Sequence, residues 1–179
     1  MKKGTIILII FILVGPFAQA QQERDSILKI FQTVIQLNND FLKTIGKNDT
    51  GFFIRSTKEE YSSTRARLEK YQDDHFDTIL PRFVSLTCGK KDITLFNEFL
   101  EVLIATENSA DEAPSFALAE IFACQPDFTL NLIDKCSNIK RVIEDLSLGF
   151  ENLPVILGHE IKNYTQLKGQ LARKIQNTR

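Results

Sequence analysis

Histidine is scarce in this chain: there are two, His75 and His159. A Ser, Cys or Lys nucleophile needs a positioned base, and two imidazoles leave little from which to build one. His159-Glu160 opens "HEIKN", but a zinc-protease helix needs a second histidine one turn on, where Asn163 stands. None of the three cysteines sits in a C-x-x-C, so thioredoxin-like redox work is not signalled. The glycines are scattered singly and form no phosphate-cradling loop. No block of basic residues supplies a nucleic-acid footprint. Sustained alternation with β-branched residues and Asn-Gly turns is also missing, so no strands are predicted. Tryptophan is absent, and the fourteen phenylalanines mostly occupy helical stripe positions, as core residues would. These absences leave the chain with no assigned catalytic residue, cofactor or metal ligand.

What is present first is an export pattern. Lys2 and Lys3 precede the uncharged apolar run "TIILIIFILVG" at 5–15, Pro16 is expected to break that helix, and Ala18-Gln19-Ala20 supplies small residues at a cleavage site. Residues 1–20 therefore read as a signal peptide cleaved after Ala20, with 21–179 as a single all-helical domain. The apolar run is shorter than the roughly 20 residues a membrane span requires, and no later segment approaches that length. No stable membrane span is expected after cleavage. Removing Lys2 and Lys3 takes Lys+Arg from 22 to 20 against 23 Asp+Glu, a net charge of −3. A secreted or periplasmic location follows, and with it the opportunity to oxidise a pair among Cys88, Cys124 and Cys136.

Apolar periodicity then divides the chain into helices. Residues 25–45 carry a stripe (Ile27, Phe31, Val34, Phe41 among others) closed by Gly46. Residues 46–56 are turn-rich and read as a connection. A charged, exposed helix over 57–74 is predicted to run on through 75–88, with Pro81 as a kink or a break. Asp92 caps the next helix, to about 107. Ser109 and Glu112 have capping-box spacing, Pro114 suits a first turn, and the only charge from Ala113 to Cys124 is Glu120, so this helix should be covered nearly all round. Pro126 stops it. A shorter helix follows to Cys136, then one capped by Ser137. Gly149 and Pro154 are expected to bracket a connection to a final helix at 155–176. The fold class is all-α, with about six to eight helices in antiparallel hairpins, stacked as an irregular bundle or a short HEAT-like solenoid.

Hairpin order sorts the cysteines. With successive helices running up and down, Cys88 and Cys124 fall at the same end, while Cys136 lies ~13–15 Å away at 1.5 Å per residue. A disulfide needs Cα atoms within about 7 Å, which selects Cys88–Cys124.

Two surface features remain. "DDHFD" groups Asp73, Asp74, His75 and Asp77, with Asp73 and Asp77 one turn apart on a shared face. Phe52 and Phe53 lie beside Gly51 in a polar loop; they are expected to tuck back onto the bundle, or else to form an exposed contact. The leading expectation is an exported non-enzymatic protein that binds another protein, specifically a periplasmic immunity or inhibitor protein against a secreted effector. One alternative is a metal-dependent hydrolase using the Asp73–Asp77 cluster, or His159 and Glu160. Another is a self-associating envelope component, a homo-oligomer paired through a coiled-coil seam on the 155–176 helix.

Overall fold

A computed structural model describes the backbone of residues 3–106, 111–158 and 161–178, with side chains from residue 18 onward within those ranges. Among the described residues the chain forms seven helices and one small hairpin: α1 (Lys3–Lys43), β1 (Ile45–Asn48), β2 (Gly51–Ile54), α2 (Lys58–Lys90), α3 (Ile93–Ala105), α4 (Ala113–Cys124), α5 (Pro126–Ile133), α6 (Ile139–Leu157) and α7 (Tyr164–Thr178). The all-α class holds. No helix of the described residues is long and apolar enough to cross a membrane.

The core begins where α1 meets α2 and α3. Ile27, Phe31 and Val34 recur at spacings of four and three, and all three are fully buried. Phe31 packs edge-on against Phe83 at 5.2 Å, and Phe83 meets Phe99 at 4.4 Å, so one ring cluster ties the three helices together. The helix α1 is continuous through Pro16, where the sequence suggested a break; one proline removes one hydrogen bond, and the flanking turns carry the helix on.

The 46–56 segment is not a plain connection. β1 and β2 pair antiparallel, with Ile45 opposite Ile54 and Asn48 opposite Gly51. Asn48 Oδ1 accepts from the Thr50 backbone N–H at 3.0 Å and from the Thr50 hydroxyl at 2.7 Å, so side-chain hydrogen bonds close the turn without an Asn-Gly pair. Gly51 has φ of 125°, a conformation that other L-residues rarely adopt. Four-residue strands are too short to display an alternation, which is why the sequence hid them.

Thr57 caps α2 by accepting from the Glu60 N–H at 3.1 Å. The helix runs unbroken through Pro81, which is exposed, so the carbonyl it leaves unpaired faces the solvent side. Lys91, with φ of 51°, ends it in the left-handed conformation. Asp92 then starts α3, accepting from the Leu95 N–H at 3.0 Å.

The start of α4 differs from the capping-box expectation. Glu112 occupies the N-cap without a side-chain bond, and Asp111 Oδ1 accepts from the Ala113 N–H at 2.9 Å. Pro114 enforces this: it has no N–H and must lie in the first turn, so the helix cannot begin as early as Ser109 demands. Ser109 itself lies outside the described residues. The low-charge run is as covered as expected, because α4 packs between α2 and α6. It lies along the second half of α2 in the same direction: Asp111 feels Asp73 and Asp77 near its start, and Cys124 meets Cys88 at its end.

Gly149 and Pro154 do not bracket a connection. α6 runs through both to Leu157 and ends at Gly158, with φ of 66°. At Gly149 a Cβ would stand 2.1 Å from the Ser115 carbonyl oxygen, so the glycine serves close approach of two helices rather than a turn. Pro154 lies inside α6, where it removes the bond to the Phe150 carbonyl, and the helix ends one turn later at Leu157. The N-cap of α6 is Asn138 rather than Ser137, without a side-chain bond. Residues 155–157 thus belong to α6, and the last helix starts at Tyr164, stacked on Phe150 at 4.9 Å. The buried Leu167 and Leu171 of α7 join the molecule's own core, so the seam proposed for self-pairing is filled internally. Since α3 packs mainly on α1 while α4 spans α2 and α6, the arrangement is an irregular bundle rather than a solenoid of consecutive hairpins.

Candidate functional site

Cys88 and Cys124 form a disulfide with Cα atoms 5.8 Å apart, as hairpin order selects. Gln125 adds a second tie at that end, its Nε2 donating to the Cys88 carbonyl at 2.7 Å. Cys136 is a free, half-buried thiol packed against the core.

The "DDHFD" residues do not converge. His75 stacks on Tyr71 at 4.1 Å and its Nδ1 lies 2.9 Å from the Tyr71 carbonyl, which can only accept, so Nδ1 carries a proton. Asp74 pairs with Lys70 at 2.8 Å. Asp73 and Asp77 turn toward the start of α4, where burial first, and then their like charges, push the Asp111 carboxyl up. Among the described residues no group of three or more His, Cys, Asp or Glu side chains could hold a metal ion. His159 and Glu160 lie outside the described residues.

The hairpin is where the surface departs from expectation. Phe52 is 75% exposed, and Leu42, Phe53 and Ile54 are exposed beside it. The two phenylalanines do not tuck back together, because the strand pleat sends neighbours to opposite faces. Phe53 crosses the strand to cover Gly46, where a Cβ would stand 2.5 Å from its ring. Phe52 faces the other way, with the Lys47 ammonium 5.7 Å from its ring centre.

Between that face and the bundle lies a groove of about 380 Å³ walled by Phe41, Leu42, Ile45, Phe52, Tyr61 and Leu68. Arg65 and Glu69 stand on its lining, joined at 2.8 Å; the Glu69 hydrogen bond, then the Tyr61 hydroxyl, hold the Arg65 guanidinium above its ordinary range. Gln72 also lines the groove and is 1% exposed, yet its Nε2 has no hydrogen-bond partner. Leaving such a group buried and unpaired costs about 1–3 kcal/mol. Sequence reading missed Gln72, although its place in the stripe Leu68, Gln72, Phe76, at spacings of four between buried residues, was a visible signal.

At the far end of the α1 face, Arg24 pairs with Asp92 at 2.5 Å. Burial works to raise the Asp92 carboxyl, but the Arg24 hydrogen bond and the Leu95 N–H outweigh it and hold it below the usual carboxylate range.

Comparison with known proteins yields no relative: no family model, no curated protein and no solved structure matches the chain.

Proposed function

We propose that this is an exported, non-enzymatic helical protein that binds another protein, with the hairpin as its contact, in the manner of a periplasmic immunity or inhibitor protein acting on a secreted effector. The observation that carries the reading is the exposed apolar run Phe52, Phe53 and Ile54 on β2, with exposed Leu42 nearby at the end of α1. An aromatic at 75% exposure contributes little to the fold, and aromatic residues are the common anchors of protein interfaces. The export pattern of residues 1–20 and the disulfide support a secreted or periplasmic setting.

A photoreactive phenylalanine analogue at position 52 tests this. It should capture one partner from the envelope or secreted fraction, whereas the same analogue at exposed Glu59 should not. Phe52→Ser should abolish partner binding with an unchanged melting temperature. Absence of a specific adduct from position 52, or binding that survives Phe52→Ser, would refute the reading.

A second reading, self-association, is favoured by a different patch: Val155 is 83% exposed and adjoins exposed Ile156 and Leu157 at the end of α6. Sedimentation of the chain as a dimer that Val155→Asp dissolves would support it over the first.

A further inference from the structure

Gln72 occupies a position that the fold alone would give to leucine. It lies between Leu68 and Phe76 on the buried face of α2, and its Nε2 finds no acceptor. A second carboxamide, Asn38 of α1, lines the same groove and is 9% exposed. A primary carboxamide offers both a donor and an acceptor, the same complement that a peptide unit presents in reverse. Around the two amides the walls are apolar, and the two charged residues of the lining, Arg65 and Glu69, already satisfy each other.

These features discriminate among occupants. A carboxylate or phosphate head finds no available cation in the lining beside the two amides: Arg65 is bound to Glu69, and the Lys47 ammonium lies over the Phe52 ring outside the lining. A bare hydrocarbon would fill the walls but leave the buried Gln72 amide unpaired. A neutral extended peptide satisfies both: its backbone amide meets the carboxamides while an apolar side chain enters between Phe41, Leu42 and Phe52. The volume of about 380 Å³ is in the range of pockets that take such a segment.

We infer that the groove between the hairpin and α2 binds a neutral, apolar, extended peptide segment, recognised through hydrogen bonds from its backbone to Gln72 and Asn38. This rests on the protein-binding reading and specifies which part of a partner is held.

The test uses the full chain and the capped peptide acetyl-Ser-Leu-Phe-Leu-Ser-amide, with dodecanoate as the comparison probe. On titration with the peptide, the side-chain NH2 resonances of Gln72 should shift and saturate. Gln72→Leu should raise the melting temperature, because an unpaired buried amide is gone, and should weaken the peptide by about tenfold. Gln72→Met, of similar length, should behave the same way. Unshifted Gln72 resonances up to the solubility limit of the peptide would overturn the inference. So would a Gln72→Leu protein that binds the peptide as well as the original, or a larger response to dodecanoate than to the peptide. Partner capture by the analogue at position 52 that stays intact in a Gln72→Leu background overturns the groove inference alone. Peptide saturation without any capture overturns the partner reading and leaves the groove a peptide site.

Discussion

Glycine at two helical positions shows how much depends on neighbours. Gly149 faces the Ser115 carbonyl oxygen at a separation that leaves no room for a Cβ, whereas at Gly169 the nearest atom to a built Cβ is Arg173 Nη1 at 3.9 Å. Gly→Ala in a helix interior normally stabilises by about 0.5–1 kcal/mol. Gly169→Ala should therefore raise stability by that amount. Gly149→Ala must push α4 and α6 apart and should lower it by about 1–3 kcal/mol, both read from urea denaturation midpoints. Glu120 is the lone charge on α4, and burial pushes its carboxyl up. A raised carboxyl holds its proton in the folded chain over a range where the unfolded chain has released it, so stability falls as pH rises through that range. Glu120→Gln should thus raise the melting temperature at pH near 7, and the gain should vanish below about pH 4, where both states are protonated. A gain that persists in acid would show that packing, not charge, is responsible.

At the scale of elements, propensity marked most helix starts, and packing decided where several helices end. Asp92 and Thr57 do what short polar residues do at helix starts, and both could be read before any fold was known. Pro81, Gly149 and Pro154 carried breaking signals that the structure overrides, for two reasons. An exposed proline leaves its orphan carbonyl to water, and a buried glycine lets another backbone come close. Pro81→Ala should restore a helical hydrogen bond in α2 and raise stability by about 1 kcal/mol, after counting the unfolded-chain entropy that proline removes. An unchanged denaturation midpoint would mean that water already satisfies the carbonyl fully. The hairpin was illegible because its turn is closed by the Asn48 side chain and its strands are four residues long.

For the whole molecule, the disulfide is the long-range tie that the chain order itself implied. Cys88–Cys124 closes a separation of 36 residues and joins the ends of two helices that lie side by side. Alkylation of denatured, unreduced protein should label one thiol, Cys136, and reduction should expose the other two. Reduced protein should lose about 2–4 kcal/mol of stability in denaturant titration. Ion pairs distribute further ties around the bundle, Arg24 to Asp92 between α1 and α3 and Lys174 to Asp134 between α7 and the end of α5. As partly exposed pairs they define alignment more than they add energy.

Read alone, the sequence determined the all-α class, the burial of α4, which two cysteines lie close enough to bridge and the absence of familiar catalytic motifs, because these follow from periodicity, charge density and rise per residue. The tertiary structure alone decided that α1 packs on both α2 and α3, that Phe52 projects from a hairpin, and that Gln72 is buried beside a groove without a partner. Each of those depends on which faces meet across long stretches of chain. The stripe Leu68, Gln72, Phe76 hints at burial, but the groove and the missing hydrogen bond are properties of that meeting, and no local pattern encodes them.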